Sequence, residues 1–337
     1  MKLGLSRQQQ GGSSRTSTAS VSDAQIVALR AQLRAVTAHT GKGQQLLCSI
    51  PLAGQLAPIV LAFFCSYLLY GRIADNLDTI GIAYQNGEWT RGLASFVVLF
   101  LLLRMVDDLD DVDRDFAGIP DSERQRSALR KRLRAGVIGC IAILALLNHA
   151  SIYGLVGALS ASALMLVAPF LFKRYFPQQR ALGFPVFEGA PLLIFAYVYL
   201  YWRDITGTAL PWIAVSSVTI TFWVGYEFWK FSRKVHTGAM QPYLLSPHGI
   251  RIALNALLLA GVVSNIALAW TAGLASLGYI TYAVAVPVVL GVWLNASWSG
   301  ASQNRRAQRR PLWAGMTMIW ALELGILSQL LPLLASK

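Results

Sequence analysis

Residues 93–115 read LASFVVLFLLLRMVDDLDDVDRD. An apolar run from Leu93 to Leu103 leads straight into six aspartates between Asp107 and Asp115. This is the pattern of a membrane helix that emerges into water. Asp108, Asp111 and Asp115 are spaced i, i+3 and i+7, which puts them within about 60° of one another on a single helix face. Arg104, four residues before Asp108, falls on the same face. Carboxylates stacked this way repel one another at low dielectric unless a cation lies between them. Hard divalent ions with oxygen ligands suit such a cluster, Mg²⁺ above all, and Mg²⁺ commonly shares its shell with substrate phosphates. An isolated acidic run also serves as a solvated helix cap. The density of aspartate, in a chain with only 16 acidic residues, favours the metal.

The composition agrees with a membrane helix. Of 337 residues, 55% are hydrophobic and 13% charged, against roughly 25% charged in soluble domains. The chain is therefore expected to be all-α and polytopic. Met1 to Ser22 is polar and lacks the apolar core of a secretory signal. Cys48, Cys65 and Cys140 are scattered in apolar surroundings, a pattern that argues for neither disulfides nor zinc. The net charge of +13 matters less for its sum than for its distribution, and no nucleic-acid partner is expected.

Composition predicts a disordered tail over residues 1–21. An amphipathic helix over 22–44 is expected to lie on the membrane surface. It opens on Ser22 and Gln25 at capping-box spacing and sets Ile26, Val27, Leu29 and Leu33 against Arg30 and Arg34. The body, 45–337, holds nine apolar spans near 48–70, 92–106, 134–149, 152–172, 183–202, 209–229, 250–271, 274–296 and 312–334. With the N-terminus in the cytoplasm, most of the 29 lysines and arginines fall in inside loops, and only Arg72, Arg91, Arg203 and Lys337 fall outside. That asymmetry is what the positive-inside rule requires of a nine-span protein. It places the aspartates on the cytoplasmic side.

A second polar cluster, YEFWKFSRK from Tyr226 to Lys234, ends the sixth span. Glu227, Lys230 and Lys234 repeat the i, i+3, i+7 spacing, with Arg233 adjacent. Ammonium and guanidinium groups at a membrane mouth make good receptors for phosphate oxygens, though inside-loop cations also snorkel to lipid headgroups. Lys173 and Arg174 close the fourth span in the same way. The run NRRAQRR, 304–310, is read as a topology determinant that touches anionic lipid. Glu188 and Glu323 lie within spans, where an ionisable group is a functional candidate by default. An acidic and a basic face at the mouth of an apolar bundle match a ligand with a diphosphate head and a hydrocarbon tail, as in an isoprenyl diphosphate.

On these features the chain resembles the UbiA superfamily of intramembrane prenyltransferases, over roughly residues 45–335. The family's first motif, N-D-x-x-D-x-x-x-D, is similar to Asp107-Asp108-x-x-Asp111-x-x-x-Asp115, with Asp for the leading Asn, and Arg104 upstream also matches. The resemblance implies a nine-helix bundle in which Asp108, Asp111 and Asp115 hold Mg²⁺ on the diphosphate, supported by Asp107. Lys173-Arg174 resembles a family Lys-Arg pair. The second motif departs from the usual Tyr-x-x-x-Asp-x-x-x-Asp, because Lys230 and Lys234 stand at both aspartates. Tyr226-Glu227-x-x-Lys230 looks more like a divergent branch, with Tyr226 and Glu227 in the site and Arg104, Lys173, Arg174, Lys230, Arg233 and Lys234 on the diphosphate. The expected activity is prenyl transfer to an aromatic or lipophilic acceptor. The alternatives are a terpene cyclase on the same scaffold and a non-catalytic transporter or lipid-binding protein.

Overall fold

The computed structural model describes residues 53–75, 87–115, 123–175, 183–237, 247–274, 276–298 and 305–335. The expected tail and the expected interfacial helix, residues 1–44, lie outside these. The described residues form an all-α protein of nine helices. They are α1 (Ala53–Ile73), α2 (Glu88–Asp115), α3 (Glu123–Leu147), α4 (Ile152–Tyr175), α5 (Gly183–Thr206), α6 (Trp212–Thr237) and α7 (Pro247–Ala272). α8 runs through Leu277–Ile280, a π-helical turn at Thr281–Ala285, and Val286–Trp298, and α9 is Arg305–Ala335. Pro287 has no N–H to return to the preceding turn, which accounts for the widened turn before it.

Among the described residues, each expected span overlaps one helix. Four helices are long and apolar enough to cross a membrane, through Leu56–Ile73, Gly249–Ala272, Gly278–Asn295 and Arg310–Pro332. Others join an apolar part to a charged one. α2 passes from its apolar half into Arg104–Asp115, and α3 begins ERQRSALRKRLR before it turns apolar. The apolar part of α4, Ile152–Ala168, is shorter. The outward faces carry many large apolar side chains, including Leu146, Leu259 and Val292. Trp212 and Trp270, each 78% exposed, sit at helix ends, as tryptophans do at a membrane interface.

Helix ends are set by local chemistry. α5 stops at Gly207, whose N–H still bonds the Arg203 carbonyl at 2.8 Å and whose positive φ of 67° turns the chain out of the helix. α7 ends at Gly273 (φ 66°), and the next N–H, of Leu274, bonds the Ala269 carbonyl in a Schellman pattern. Antiparallel neighbours then pair: α2 with α3, α4 with α5, and α6 with both α7 and α9. α1 lies against α5, α6 and α9, where Phe63, Leu69 and Tyr70 are wholly buried. The α6–α9 approach is close because Gly315 lacks a side chain; a Cβ there would lie 3.0 Å from the Trp229 Cα.

A neutral hydrogen-bonded knot ties α2, α3 and α5 together at the end away from the aspartates. Asn148 donates to Ser95 Oγ at 2.9 Å and to the Leu144 carbonyl at 2.8 Å, and it accepts from Tyr197 Oη at 2.9 Å. All three side chains are wholly buried. Substituting Asn148→Ala leaves two buried hydroxyls without that partner and is expected to cost about 1–3 kcal/mol. Thermal unfolding in detergent, compared with Tyr197→Phe and the double variant, measures the loss and the coupling.

Candidate functional site

The two polar clusters of the sequence stand on α2 and α6, and ring contacts join those helices just inside the polar ends. Phe100 of α2 meets Tyr226 of α6 with centroids 5.1 Å apart. Two helical turns beyond Tyr226, Arg233 of α6 lies within the electrostatic reach of both Arg104 and Asp107 of α2. The acidic end of α2 and the basic end of α6 are therefore side by side.

On α2, Arg104 Nη2 lies 2.8 Å from Asp108 Oδ1. This is an i, i+4 pair whose side chains are 46% and 22% exposed. Asp107 is half-buried beside it. The backbone of α2 stays helical through Asp115, which keeps Asp111 and Asp115 on the Asp108 face. The side chains of Asp111 and Asp115 are outside the described ones, as are those of Lys173, Arg174, Lys234 and Glu188. Among the described residues, no group of three His, Cys, Asp or Glu side chains is arranged to hold a metal. The donors described there, the carboxylates of Asp107 and Asp108, are oxygen-only, and Asp108 is reached by solvent. That chemistry suits Mg²⁺, which keeps waters and accepts phosphate oxygens.

On α6, helical spacing turns Glu227 and Lys230 to one face, and the bundle buries both, at 1% and 6% exposure. Neither is without a partner. Arg233 lies with its guanidinium over the Trp229 ring, 5.5 Å from the centroid. Burial pulls the Arg233 pKa below its ordinary value. The Tyr226 phenol and the Asp107 carboxylate push it back up, and the Arg104 cation lowers it. Guanidinium stays protonated through such shifts, so Arg233 is a partly desolvated permanent cation facing α2. Tyr226 is buried between Phe100, Phe195 and Trp229.

A column of aromatic rings leads from this cluster into the bundle. Its steps are Trp229–Tyr226 (5.8 Å), Tyr226–Phe100 (5.1 Å), Phe100–Phe195 (5.8 Å), Phe195–Phe96 (5.7 Å), Phe96–Phe63 (5.6 Å) and Phe63–Tyr67 (5.8 Å). Phe222 stacks on Phe195 from the α6 side, at 6.3 Å. The sequence reading does not single out Phe100 or Trp229, although spacing gives a signal for both. Phe100 is four residues before Arg104, and Trp229 is four before Arg233, so each shares a face with a named cation.

Glu323 is well apart in kind. It is wholly buried in α9, its backbone carbonyl is approached by the Cys65 thiol at 3.7 Å, and neither carboxylate oxygen has a hydrogen-bond partner among the described residues. No family model, no curated protein and no solved structure matches the chain.

Glu227 and Lys230 provide a direct test of this site. The two lie three residues apart on one buried face of α6, and removing the partner of a buried charge costs about 3–5 kcal/mol, so a pairing between them would show as coupling. Glu227→Leu and Lys230→Met are each expected to destabilise by that order, and the double variant by less than their sum. Chemical unfolding of the four proteins gives the coupling energy, and additive losses would mean that the two charges do not compensate one another.

Proposed function

We propose that this chain is a Mg²⁺-dependent intramembrane prenyltransferase of the UbiA type. On this reading it has nine spans, its N-terminus in the cytoplasm and its site at the cytoplasmic side. It ionises an isoprenyl diphosphate and passes the prenyl group to an aromatic or lipophilic acceptor. The observation that carries this reading is the approach of Arg104 and Asp107 of α2 to Arg233 of α6, with Asp108 paired to Arg104, at the head of an aromatic column.

Breaking the allylic C–O bond puts charge on the departing diphosphate and leaves a carbocation. Positive groups already in place around the leaving oxygens lower that barrier, because nothing has to reorganise as charge develops. Arg104 and Arg233 approach from opposite helices, and Lys230 lies on the same side of α6. Lys234 and the Lys173–Arg174 pair add to this set. Asp107, Asp108, Asp111 and Asp115 would hold Mg²⁺, which supplies further positive charge to the diphosphate when bound. Lys230 and Lys234 stand where the family has its second aspartates, so this chain's own cations take the place of a second metal cluster. Glu227 is buried on the same face of α6 as Lys230. The ring faces of Tyr226, Phe100 and Phe195 offer electron density to the cation.

The length of that column also favours a second reading, a terpene cyclase on the same scaffold. A cation that folds back on its own double bonds needs an aromatic wall and no acceptor.

Asp108→Asn and Arg233→Gln are each expected to slow diphosphate release about a hundredfold or more while leaving thermal unfolding unchanged. The assay uses purified protein, Mg²⁺ and allylic diphosphates of three chain lengths, with and without phenolic or lipid acceptors. An adduct formed only with acceptor supports the transferase, and a hydrocarbon or terpene alcohol without acceptor supports the cyclase. No diphosphate release under any condition overturns both, in favour of a transporter or lipid-binding protein.

A further inference from the structure

The outer faces of α7 and α8 are the least buried of the four apolar spans. On α7, Ile252, Leu259, Val263, Ile266 and Trp270 form one exposed stripe. On α8, Val288, Val289 and Val292 do the same. A single exposed cation, Arg251, heads the α7 stripe, and it is not left to wander. Its Nε donates to Asn295 Oδ1 of α8. Asn295 is itself fixed, because its amide donates to Asn255 Oδ1 at 2.9 Å and to the Gly291 carbonyl at 2.7 Å, and Asn255 donates back to it at 3.3 Å. Among the described residues no carboxylate pairs with Arg251. At the same end of α8, Arg310 of α9 lies over the Trp293 ring, 5.7 Å from its centroid.

We propose that this face binds an anionic phospholipid, its phosphate on the outward amino groups of Arg251 and its acyl chains along the α7 and α8 stripes. A guanidinium held by Nε presents its remaining N–H groups in a fixed fork, the geometry that pairs with phosphate oxygens. The three-asparagine-bond perch removes the side-chain entropy that a free surface arginine loses on binding. Charge selects the headgroup, and the apolar stripe requires that the phosphate carry chains. The inference rests on the membrane-spanning reading of α7 and α8 and is independent of the proposed enzymatic activity.

The test is native mass spectrometry of the detergent-purified full chain, supplied with phosphatidylglycerol or phosphatidylcholine of identical acyl chains. The unsubstituted protein should retain phosphatidylglycerol preferentially. Arg251→Gln should lower that retention about fivefold, the worth of one cation at headgroup level. Asn295→Leu should lower it too, although it leaves the net charge untouched, whereas Arg132→Gln on α3 should not. Inorganic phosphate at the same concentration should fail to displace the lipid. Equal retention of the two lipids by the unsubstituted protein overturns the proposal whether or not the variants fold. So does undiminished retention by Arg251→Gln, or displacement by phosphate alone. Failure of the membrane reading would be seen separately, as a chain that stays monodisperse without detergent.

Discussion

The arrangement at the head of the bundle depends on placing two ionisable side chains, Glu227 and Lys230, inside an apolar protein. A buried ion carries a desolvation penalty of several kcal/mol, and attraction to a neighbour offsets it only when the geometry is held. α6 is held by four neighbouring helices. α7 and α9 are its most extensive neighbours, and α1 and α5 also pack against it. At Gly315 the α9 backbone comes against the Trp229 Cα and the Ser232 side chain, with no room for a Cβ to intervene. Trp229 Nε1 donates to the Met316 sulfur at 3.0 Å, which ties the same turn. The rotation of α6 is thereby fixed, and with it the face on which Glu227, Lys230 and the Tyr226 ring are presented.

The helices were legible in the sequence because each rests on a local signal, an apolar run of sufficient length ended by charge, glycine or proline. The expected orientation rests on charge asymmetry, which is also a property of the chain alone. The choice of neighbour has no such signal. Nothing in the spacing of Phe100, Phe195 and Tyr226 says that three different helices bring those rings together. Asn148 was hidden for a related reason. A lone amide at the end of an apolar run looks like a loop residue until Ser95 and Tyr197, far away in sequence, are seen to satisfy it. Glu323 shows the opposite limit. Its place in a span marks it as a functional candidate, but nothing in the chain tells that its carboxylate meets no hydrogen-bond partner among the described residues.

The two ends of the bundle solve the same problem with different chemistry. Away from the aspartates, Asn148, Ser95 and Tyr197 satisfy one another as neutral groups, and Tyr201 Oη closes onto the Glu88 carbonyl at 2.8 Å. Such a network needs no ion and offers none, so it locks α2, α3 and α5 without creating a receptor. At the opposite end the same α2 carries unlike charges whose mutual satisfaction is only partial. A rigid neutral end and a charged receptive end on one helix is a sensible division of labour. A site built at the charged end would be positioned by a scaffold fixed at the other.

Within the charged end, the halves differ in how readily they change partners. The Arg104–Asp108 pair is exposed to solvent on both sides, and pairs of that kind contribute no more than about 1 kcal/mol. Opening it to admit a new anion for Arg104, or a cation for Asp108, is therefore easy. Glu227 and Lys230 are buried far more deeply, and rearranging charged groups at such depth costs several times that energy. α2 is thus the adjustable wall of the site and α6 the fixed one. On the proposed function, a diphosphate arriving between them would draw Arg104 away from Asp108 and meet Arg233 already desolvated over Trp229. The carboxylates of α2 would be released toward a metal by the same exchange that secures the substrate, so binding of the two is expected to be cooperative.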